Sequence, residues 1–260
     1  MIEKARTLAW FAARPAFWAH AASLGARRLS PSRDTPAHRA EATGWAEARA
    51  VPVAEALAAV GLPAGGDTPL PRLPPALLAE AEARVASCDV RMGGPGDLDL
   101  LFAAVMLSGA RRVLETGVAY GWSSLAILAA LDGVEGGALA SVDMPYPKLG
   151  NEAFVGIAVP ERLRGRWTLV REPDRHGLDK ALQALGGTID LAHYDSDKSW
   201  QGRRWAFPRI WRALAPGGIL ICDDIQDNMA FAEFVREGGV LAAVTAAHGK
   251  FVGLTRKPAA

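Results

Sequence analysis

The sequence predicts an α/β protein: a doubly wound, seven-stranded, mostly parallel sheet with one antiparallel strand, preceded by an N-terminal helical extension. Half of the 260 residues are apolar, which is enough for a sizeable buried core. After Arg91, short runs rich in Val, Ile and Leu alternate with helical stretches, as in βαβ units around a parallel sheet. The last two runs are joined by residues 246–250 alone, and so short a connection indicates an antiparallel hairpin.

The N-terminal part predicts helices that are interrupted by prolines, because proline lacks a backbone donor and disfavours helix in the residue before it. The interruptions fall at Pro15, Pro31 and Pro36. Residues 62–75, LPAGGDTPLPRLPP, are too rich in proline and glycine for regular structure and predict a linker. We therefore expect residues 1–75 to form a helical extension with its linker, and residues 76–260 to form the main domain.

In the main domain, apolar runs alternate with amphipathic stretches, and a helix over Pro75–Ser87 leads into it. The predicted strands are Arg112–Thr116, Leu139–Asp143, Trp167–Arg171, Ile189–Asp195, Gly218–Asp223, Val240–Thr245 and Phe251–Thr255. The predicted helices between the first five strands are Trp122–Leu131, Asn151–Ile157, Leu178–Leu185 and Gly202–Leu214. These helices are long enough to form right-handed crossovers between parallel strands.

Charge and cysteine content narrow the class of protein. The 29 basic residues are balanced by 28 acidic ones, so we expect a small-molecule substrate and no nucleic acid. Cys88 and Cys222 lie far apart without metal-ligand spacing, which fits a reducing cytoplasm. The aromatic N-terminal runs are cut at Arg14 and are too short to span a bilayer. We expect them to pack on the main domain or on a second subunit of a homodimer, in preference to a membrane surface.

A glycine-bearing loop joins the first predicted strand to a helix, in the segment VLETGVAYGWSS. Gly117 permits a tight turn, Gly121 permits close approach of a ligand, and the first helical N–H groups with Ser123 face an anion such as a carboxylate. The spacing Glu-x-Gly-x-x-x-Gly differs from the dinucleotide fingerprint and disfavours a nicotinamide enzyme. The second strand ends at Asp143, an acid that can accept both hydroxyls of a ribose. An ordinary strand-to-helix turn is the alternative, but the loop and the acid together favour a nucleoside site.

These residues resemble the motifs of the class I S-adenosylmethionine-dependent methyltransferases, and the resemblance covers about residues 91–256. Glu115 and the two glycines match the first motif, Asp143 matches the ribose-binding acid, and residues 215–218 match the turn before the fifth strand. The resemblance implies a Rossmann-like methyltransferase fold with S-adenosylmethionine as cofactor. The implied cofactor-binding residues are Glu115, Gly117, Val118, Tyr120, Gly121, Ser123, Asp143, Glu172 and Asp195.

Acidic residues follow the fourth and fifth predicted strands. Asp195 ends the fourth strand and Asp223 and Asp224 end the fifth, so all three belong at the carboxyl edge of the sheet. Like charges so close together raise one another's pKa or bind a cation, and oxygen ligands suit Mg²⁺. The alternative is that Asp223 and Asp224 cap the following helix. We expect His193, beside Asp195, to be a packed strand residue.

The acidic residues also resemble those of the metal-dependent catechol and caffeoyl-CoA O-methyltransferases. The resemblance implies that Asp195, Asp223 and Asp224 bind the metal. It also implies that Lys198 and Asp195 are catalytic, with Lys198 accepting the proton of the substrate hydroxyl, and a lysine beside a cation has a lowered pKa that suits this role. Those families have Asn at the position of Asp224. The Asp-Asp pair of this sequence instead resembles that of the metal-dependent antibiotic-sugar O-methyltransferases, so the substrate class stays open.

The sequence thus predicts Mg²⁺-dependent O-methylation of a hydroxylated small molecule, such as a sugar, a polyketide or a phenol. One alternative is a metal-independent methyltransferase whose acids merely cap helices. Another is a non-catalytic S-adenosylmethionine-binding protein that works through its aromatic N-terminal helices. An NAD(P) oxidoreductase is the least favoured alternative because the phosphate-binding glycine triplet is absent from the sequence.

Overall fold

The computed structural model describes residues 7, 9–27, 32–65, 69–146 and 150–259. The strands are β1 Arg112–Thr116, β2 Ala138–Val142, β3 Trp167–Val170, β4 Ile189–Tyr194, β5 Leu214–Cys222, β6 Ala242–Ala247 and β7 Lys250–Arg256. They form one sheet in the order β3-β2-β1-β4-β5-β7-β6. β7 runs antiparallel to both β5 and β6, whereas the other neighbouring strands are parallel. The predicted fold class is confirmed, including the one strand that runs against the others.

Helices flank the sheet on both faces. From Trp18 onward the α-helices are α1 Trp18–Arg27, α2 Pro36–Glu47, α3 Val53–Ala59, α4 Pro75–Ala86, α5 Leu98–Ser108, α6 Trp122–Ala130, α7 Glu161–Arg164, α8 Asp174–Ala184, α9 Trp200–Ala213 and α10 Ala230–Gly238. Alternate residues of each strand face opposite sides, which divides the core into two layers. Val113 and Leu191 pack with α5 and α6 in one layer, and Leu114 and Ala192 pack with α8, α9 and α10 in the other. Burial on both faces explains why the central strands are continuous apolar runs in the sequence.

One predicted helix is absent from the structure, and several other predicted elements have different ends. The helix predicted over Asn151–Ile157 is wrong, since only a single 3₁₀ turn forms there. Gly156 has a φ of +72°, and a Cβ at that position would lie 2.4 Å from the ring of Trp167, so the chain leaves helical geometry to pass the indole. Strand β5 starts earlier than predicted because Leu214 already pairs with β4 across an irregular register.

The prolines of the N-terminal part lie at helix boundaries. Pro15 begins a 3₁₀ turn before α1, and Pro36 is the first residue of α2, which the side chain of Thr35 caps. Pro31 and residues 66–68 of the predicted linker lie outside the described residues. In the part of the chain that the structure describes, no helix has both the length and the apolarity needed to cross a membrane. Contact of the N-terminal helices with a membrane surface or a second subunit stays a prediction.

The N-terminal extension contacts the sheet at β6 and β7. Ala50 forms a parallel bridge with Val244 of β6. Arg256 of β7 donates to the carbonyl oxygen of Gly61 at 2.6 Å. Leu57 of α3 is fully buried in the core layer that contains α5 and α6. These contacts tie α3 to the main domain, and the domain boundary at residue 75 stays a prediction.

Candidate active site

A cavity of about 410 Å³ opens at the carboxyl edge of the sheet, where ligands bind in open α/β folds. Residues that follow β1, β2, β4 and β5 line it, together with residues from α1 and from the start of α8. The predicted site residues that line the cavity are Gly117, Val118, Ser123, Asp143, Asp195, Lys198 and Asp223. The predicted site residues that are described but do not line it are Glu115, Tyr120, Gly121, Glu172 and Asp224.

The loop after β1 requires glycine at two positions. Gly117 has a φ of +82°, and a Cβ there would lie 2.2 Å from the backbone oxygen of Asp195. Gly121 has a φ of +84° and precedes α6, and a Cβ there would lie 2.9 Å from the Cα atom of Gly156. The loop therefore packs directly against the backbone of Asp195, the residue that follows β4.

Glu115 lies beneath this loop. Its side chain is fully buried in β1 and accepts hydrogen bonds from the hydroxyls of Ser123, Ser124 and Ser141, each at 2.6 Å. Three donors offset the cost of burying a carboxylate. Glu115 thus joins the end of β1 to the start of α6 and to β2, and it shapes the loop from below.

Tyr120 and Glu172 also contact the protein framework. The hydroxyl of Tyr120 donates to the carbonyl oxygen of Val90 and accepts the N–H of Met92 at 3.2 Å. Tyr120 thereby holds the glycine-rich segment before α5, whose glycines line the cavity. Glu172 forms an ion pair with Lys180 of α8 at 2.5 Å. Neither side chain faces the cavity in this arrangement.

Asp143 follows β2 and faces the cavity while its side chain is almost completely buried. Its carboxylate accepts the N–H of Val118 at 2.9 Å and pairs with Arg171. Burial raises the pKa of Asp143, and these two partners oppose that effect. Arg171 extends the ion pair to Glu152 at 2.8 Å. An acid is thus fixed beside the glycine loop, at the position predicted for the ribose.

Lys198 lies between two carboxylates. Its ammonium group is 3.0 Å from Oδ1 of Asp195 and also contacts Asp224. Burial alone would lower the pKa of Lys198, but the two carboxylates outweigh burial and raise it. The lowered pKa expected of a proton acceptor does not arise in this arrangement, so Lys198 is a charged donor. Burial and the neighbouring Asp223 raise the pKa of Asp195, while Lys198 opposes the rise.

His193 lies between Asp223, which follows β5, and Glu115 of β1, and it lines the cavity. Its Nε2 lies 3.4 Å from Oδ1 of Asp223, and its Nδ1 lies 3.9 Å from Oε1 of Glu115. Burial alone would lower the pKa of His193, but these two carboxylates raise it to about 10. The sequence predicts a packed strand residue and misses these partners. The register of β1 against β4 pairs His193 with Glu115, and that register is set only by the assembled sheet.

Arg203 is a fully buried residue of α9 that the sequence does not single out. Its guanidinium donates to the carbonyl oxygens of Asp223 at 3.1 Å and Asp224 at 2.8 Å. Asp224 has a φ of +53°, so Arg203 holds a strained turn after β5. The sequence does contain a signal for the burial of Arg203. Arg203 lies on the same apolar face of its helix as Phe207, and a charged side chain on that face needs a buried partner.

The three acids predicted to bind a metal are not arranged as a metal site, because the ammonium group of Lys198 lies between Asp195 and Asp224. Asp195 and Asp223 line the cavity, whereas the carboxylate of Asp224 turns to Lys198 and Lys250. Burial alone would raise the pKa of Asp224, but the two lysines lower it. Among the described residues, no group of three or more His, Cys, Asp or Glu side chains could hold a metal ion. As they are arranged, these residues do not fit the predicted three-acid site.

Comparison with known proteins finds similarity to methyltransferases. Residues 114–225 match the family described as Methyltransferase domain. The chain is 31% identical over 122 residues to Catechol O-methyltransferase domain-containing protein 1 of Mus musculus. That match covers 46% of this chain and 44% of the mouse protein, so the chain spans less than half the length of this curated relative.

Solved structures share the fold. An O-methyltransferase from Bacillus cereus, in complex with SAH, aligns with a TM-score of 0.55 at 19% identity, over 79% of this chain and 97% of that chain. A methyltransferase from Geobacter sulfurreducens aligns with a TM-score of 0.53 at 17% identity, over 73% of this chain and 91% of that chain. Residues 114–225 are therefore similar to a methyltransferase domain, and the sheet that carries them has the Rossmann-like fold of these solved structures.

Proposed function

We propose that this chain transfers the methyl group of S-adenosylmethionine to a hydroxyl oxygen of a small molecule. One observation carries the proposal: a single cavity at the carboxyl edge of the sheet joins the glycine loop and Asp143 to Asp195 and Lys198. The family match over residues 114–225 and the catechol O-methyltransferase-domain relative support the same reaction.

The residues around the loop fit a nucleoside. Gly117 lines the cavity, and Asp143 offers a buried carboxylate to the ribose hydroxyls. S-adenosylmethionine supplies an electrophilic methyl group on a sulfonium. The acceptor oxygen bonds to that carbon as the carbon–sulfur bond breaks, and the hydroxyl proton passes to Asp195, which Lys198 orients. The products are the methyl ether and S-adenosylhomocysteine.

Calorimetry on the full chain tests the cofactor. We expect S-adenosylhomocysteine to bind and NADH to give no heat. Asp143→Ala should weaken S-adenosylhomocysteine binding by about tenfold or more, because it removes the acid beside the ribose. Asp132→Ala, in the exposed turn after α6, is the matched control and should bind as the wild type does. Folded wild-type protein that gives no heat with S-adenosylhomocysteine would contradict the proposal.

Dependence on a divalent cation stays a prediction from the sequence. Asp195 and Asp223 share the cavity, but Asp224 is engaged by two lysines. Methyl transfer to dihydroxybenzoate is measured on metal-depleted protein, before and after addition of Mg²⁺. Activity that requires Mg²⁺ and is lost in Asp223→Asn would support the prediction. Full activity in excess chelator would remove the metal from the reaction.

A further inference from the structure

Three basic side chains line the cavity besides the residues assigned above. His20 and Arg27 come from α1, and Arg175 comes from the start of α8. We call these three residues the cationic wall. Its charge comes from the two arginines, because burial and the charge of Arg27 lower the pKa of His20, whose ring contributes a hydrogen-bond donor. Two of the three residues belong to the N-terminal extension, which lies outside the segment that matches the methyltransferase family. The cationic wall is therefore built largely by the part of the chain that the family match does not cover.

Two members of the cationic wall keep a buried nitrogen without a partner. Arg27 pairs with Asp197 at 2.7 Å and donates to Oγ of Ser199 at 3.0 Å, both through Nη1. Its Nε is buried without a hydrogen-bond partner among the described residues, and Nδ1 of His20 is in the same position. Buried polar atoms are normally hydrogen-bonded, so an acceptor from a ligand would satisfy these two.

Arg175 lines the cavity without a direct ion pair to any carboxylate of the described residues. Its guanidinium lies over the indole of Trp205, 5.0 Å from the ring centre. Burial lowers the pKa of Arg175, and the charge of Arg27 lowers it further, while Asp197 opposes them. Two arginines thus face one cavity and share one acid.

The other acids of the cavity are engaged elsewhere. These acids and their partners are Asp143 with Arg171, Asp174 with Ser196, Asp195 with Lys198, and Asp223 with His193. Within the described residues, Asp197 is the only acid that forms an ion pair with the cationic wall, and the partner of Asp174 is the neutral hydroxyl of Ser196. An incoming anion would offset the remaining charge and supply the missing acceptors.

We propose that the methyl acceptor is a hydroxylated small molecule that carries a carboxylate or a phosphate, and that His20, Arg27 and Arg175 bind this anionic group. The inference rests on the proposed methyl transfer and adds the substrate class to it. Arginine suits both anions because its planar fork of N–H donors matches their oxygens. Binding the anion at the cationic wall would hold the hydroxyl of the same molecule in the cavity that contains Asp195.

Matched probes test the proposal on the full chain saturated with S-adenosylhomocysteine. Dihydroxybenzoate is compared with dihydroxybenzyl alcohol, and glucose phosphate with glucose, by calorimetry. We expect the anionic member of at least one pair to bind about tenfold or more tightly than its neutral partner. A preference in the first pair alone identifies a carboxylate, and a preference in the second pair alone identifies a phosphate.

Variants assign the preference to the cationic wall. Arg175→Gln should lower the affinity for the preferred anion by about tenfold while S-adenosylhomocysteine binding stays unchanged. Arg209→Gln is the matched control, because Arg209 lies over the same indole of Trp205, 4.3 Å from its centre, but does not line the cavity. Arg27→Gln repeats the test from the N-terminal extension, with circular dichroism confirming its fold, since Arg27 also pairs with Asp197.

The outcomes separate this inference from the proposed function. Neutral probes that bind as tightly as anionic ones, or anionic probes that give no heat at millimolar concentration, would overturn the inference while S-adenosylhomocysteine binding persists. Equal losses in the Arg175→Gln and Arg209→Gln variants would also overturn it. If the wild-type protein fails to bind S-adenosylhomocysteine, the proposed methyl transfer itself is refuted.

Discussion

Asp174 is the residue at which pH acts most directly on folding. Burial raises the pKa of this carboxyl from its ordinary 3.8 to about 6, although Ser196 donates a hydrogen bond to it. Between these two values the folded chain holds a proton that the unfolded chain has released, so stability falls as pH rises through about 6. We expect Asp174→Asn to be about 3 kcal/mol more stable than the wild type above about pH 7, and equal to it below about pH 3.

Urea unfolding at a series of pH values measures this effect. Asp179→Asn is the matched control, because Asp179 is exposed on the same helix. Its stability should follow the wild type at every pH. A parallel profile for Asp174→Asn would show that burial does not raise the pKa of Asp174.

Single residues were predictable where the backbone or the local charge demands one residue type. Gly117 and Asp143 are such residues, and the structure places both at the cavity. The partners of Lys198 and His193 were not predictable, because a partner depends on where side chains of distant strands point. The pKa of Lys198 was expected to fall beside a bound cation, whereas its two carboxylate partners raise it.

Among the elements, the β1–α6 loop tolerates change least. Gly117→Ala adds a Cβ at 2.2 Å from a backbone oxygen and also forces alanine to a φ of +82°. Gly133→Ala is the matched control, because Gly133 has a φ of +78° but nothing within 4 Å of the added Cβ. We expect Gly133→Ala to cost about 1 kcal/mol and Gly117→Ala at least about twice as much, together with weaker S-adenosylhomocysteine binding. Urea unfolding and calorimetry measure both effects, and equal costs for the two variants would refute the close approach.

Most elements could be predicted because apolar periodicity and burial coincide in a sheet that is covered on both faces. Strand β1 has the predicted bounds, and the other strands differ from prediction chiefly at their ends. The segment predicted as a helix over Asn151–Ile157 has a φ of +72° at Gly156, where the backbone packs directly against the indole of Trp167. Local sequence does not contain such a contact.

For the whole molecule, the extension and the sheet should unfold together. Leu57 of α3 is fully buried in the core layer of α5 and α6, so Leu57→Ala should cost about 2 to 4 kcal/mol in the unfolding of the entire chain. Hydrogen exchange at the amides of β4 reports this cost far from the mutation. Leu241→Ala, at a leucine that is 75% exposed, is the control and should leave the exchange unchanged. Unaltered exchange at β4 in Leu57→Ala would show that the extension is a separate folding unit.

The position of β7 between β5 and β6 also has a consequence for biosynthesis. Residues 214–222 of β5 leave the ribosome before residues 250–256 of β7, which cover the outer edge of β5. Throughout that interval the nascent chain exposes an apolar strand with an open row of backbone donors and acceptors. Newly made chains should therefore misassemble first at β5, and slower translation of residues 223–249 should lengthen the period in which they need a chaperone.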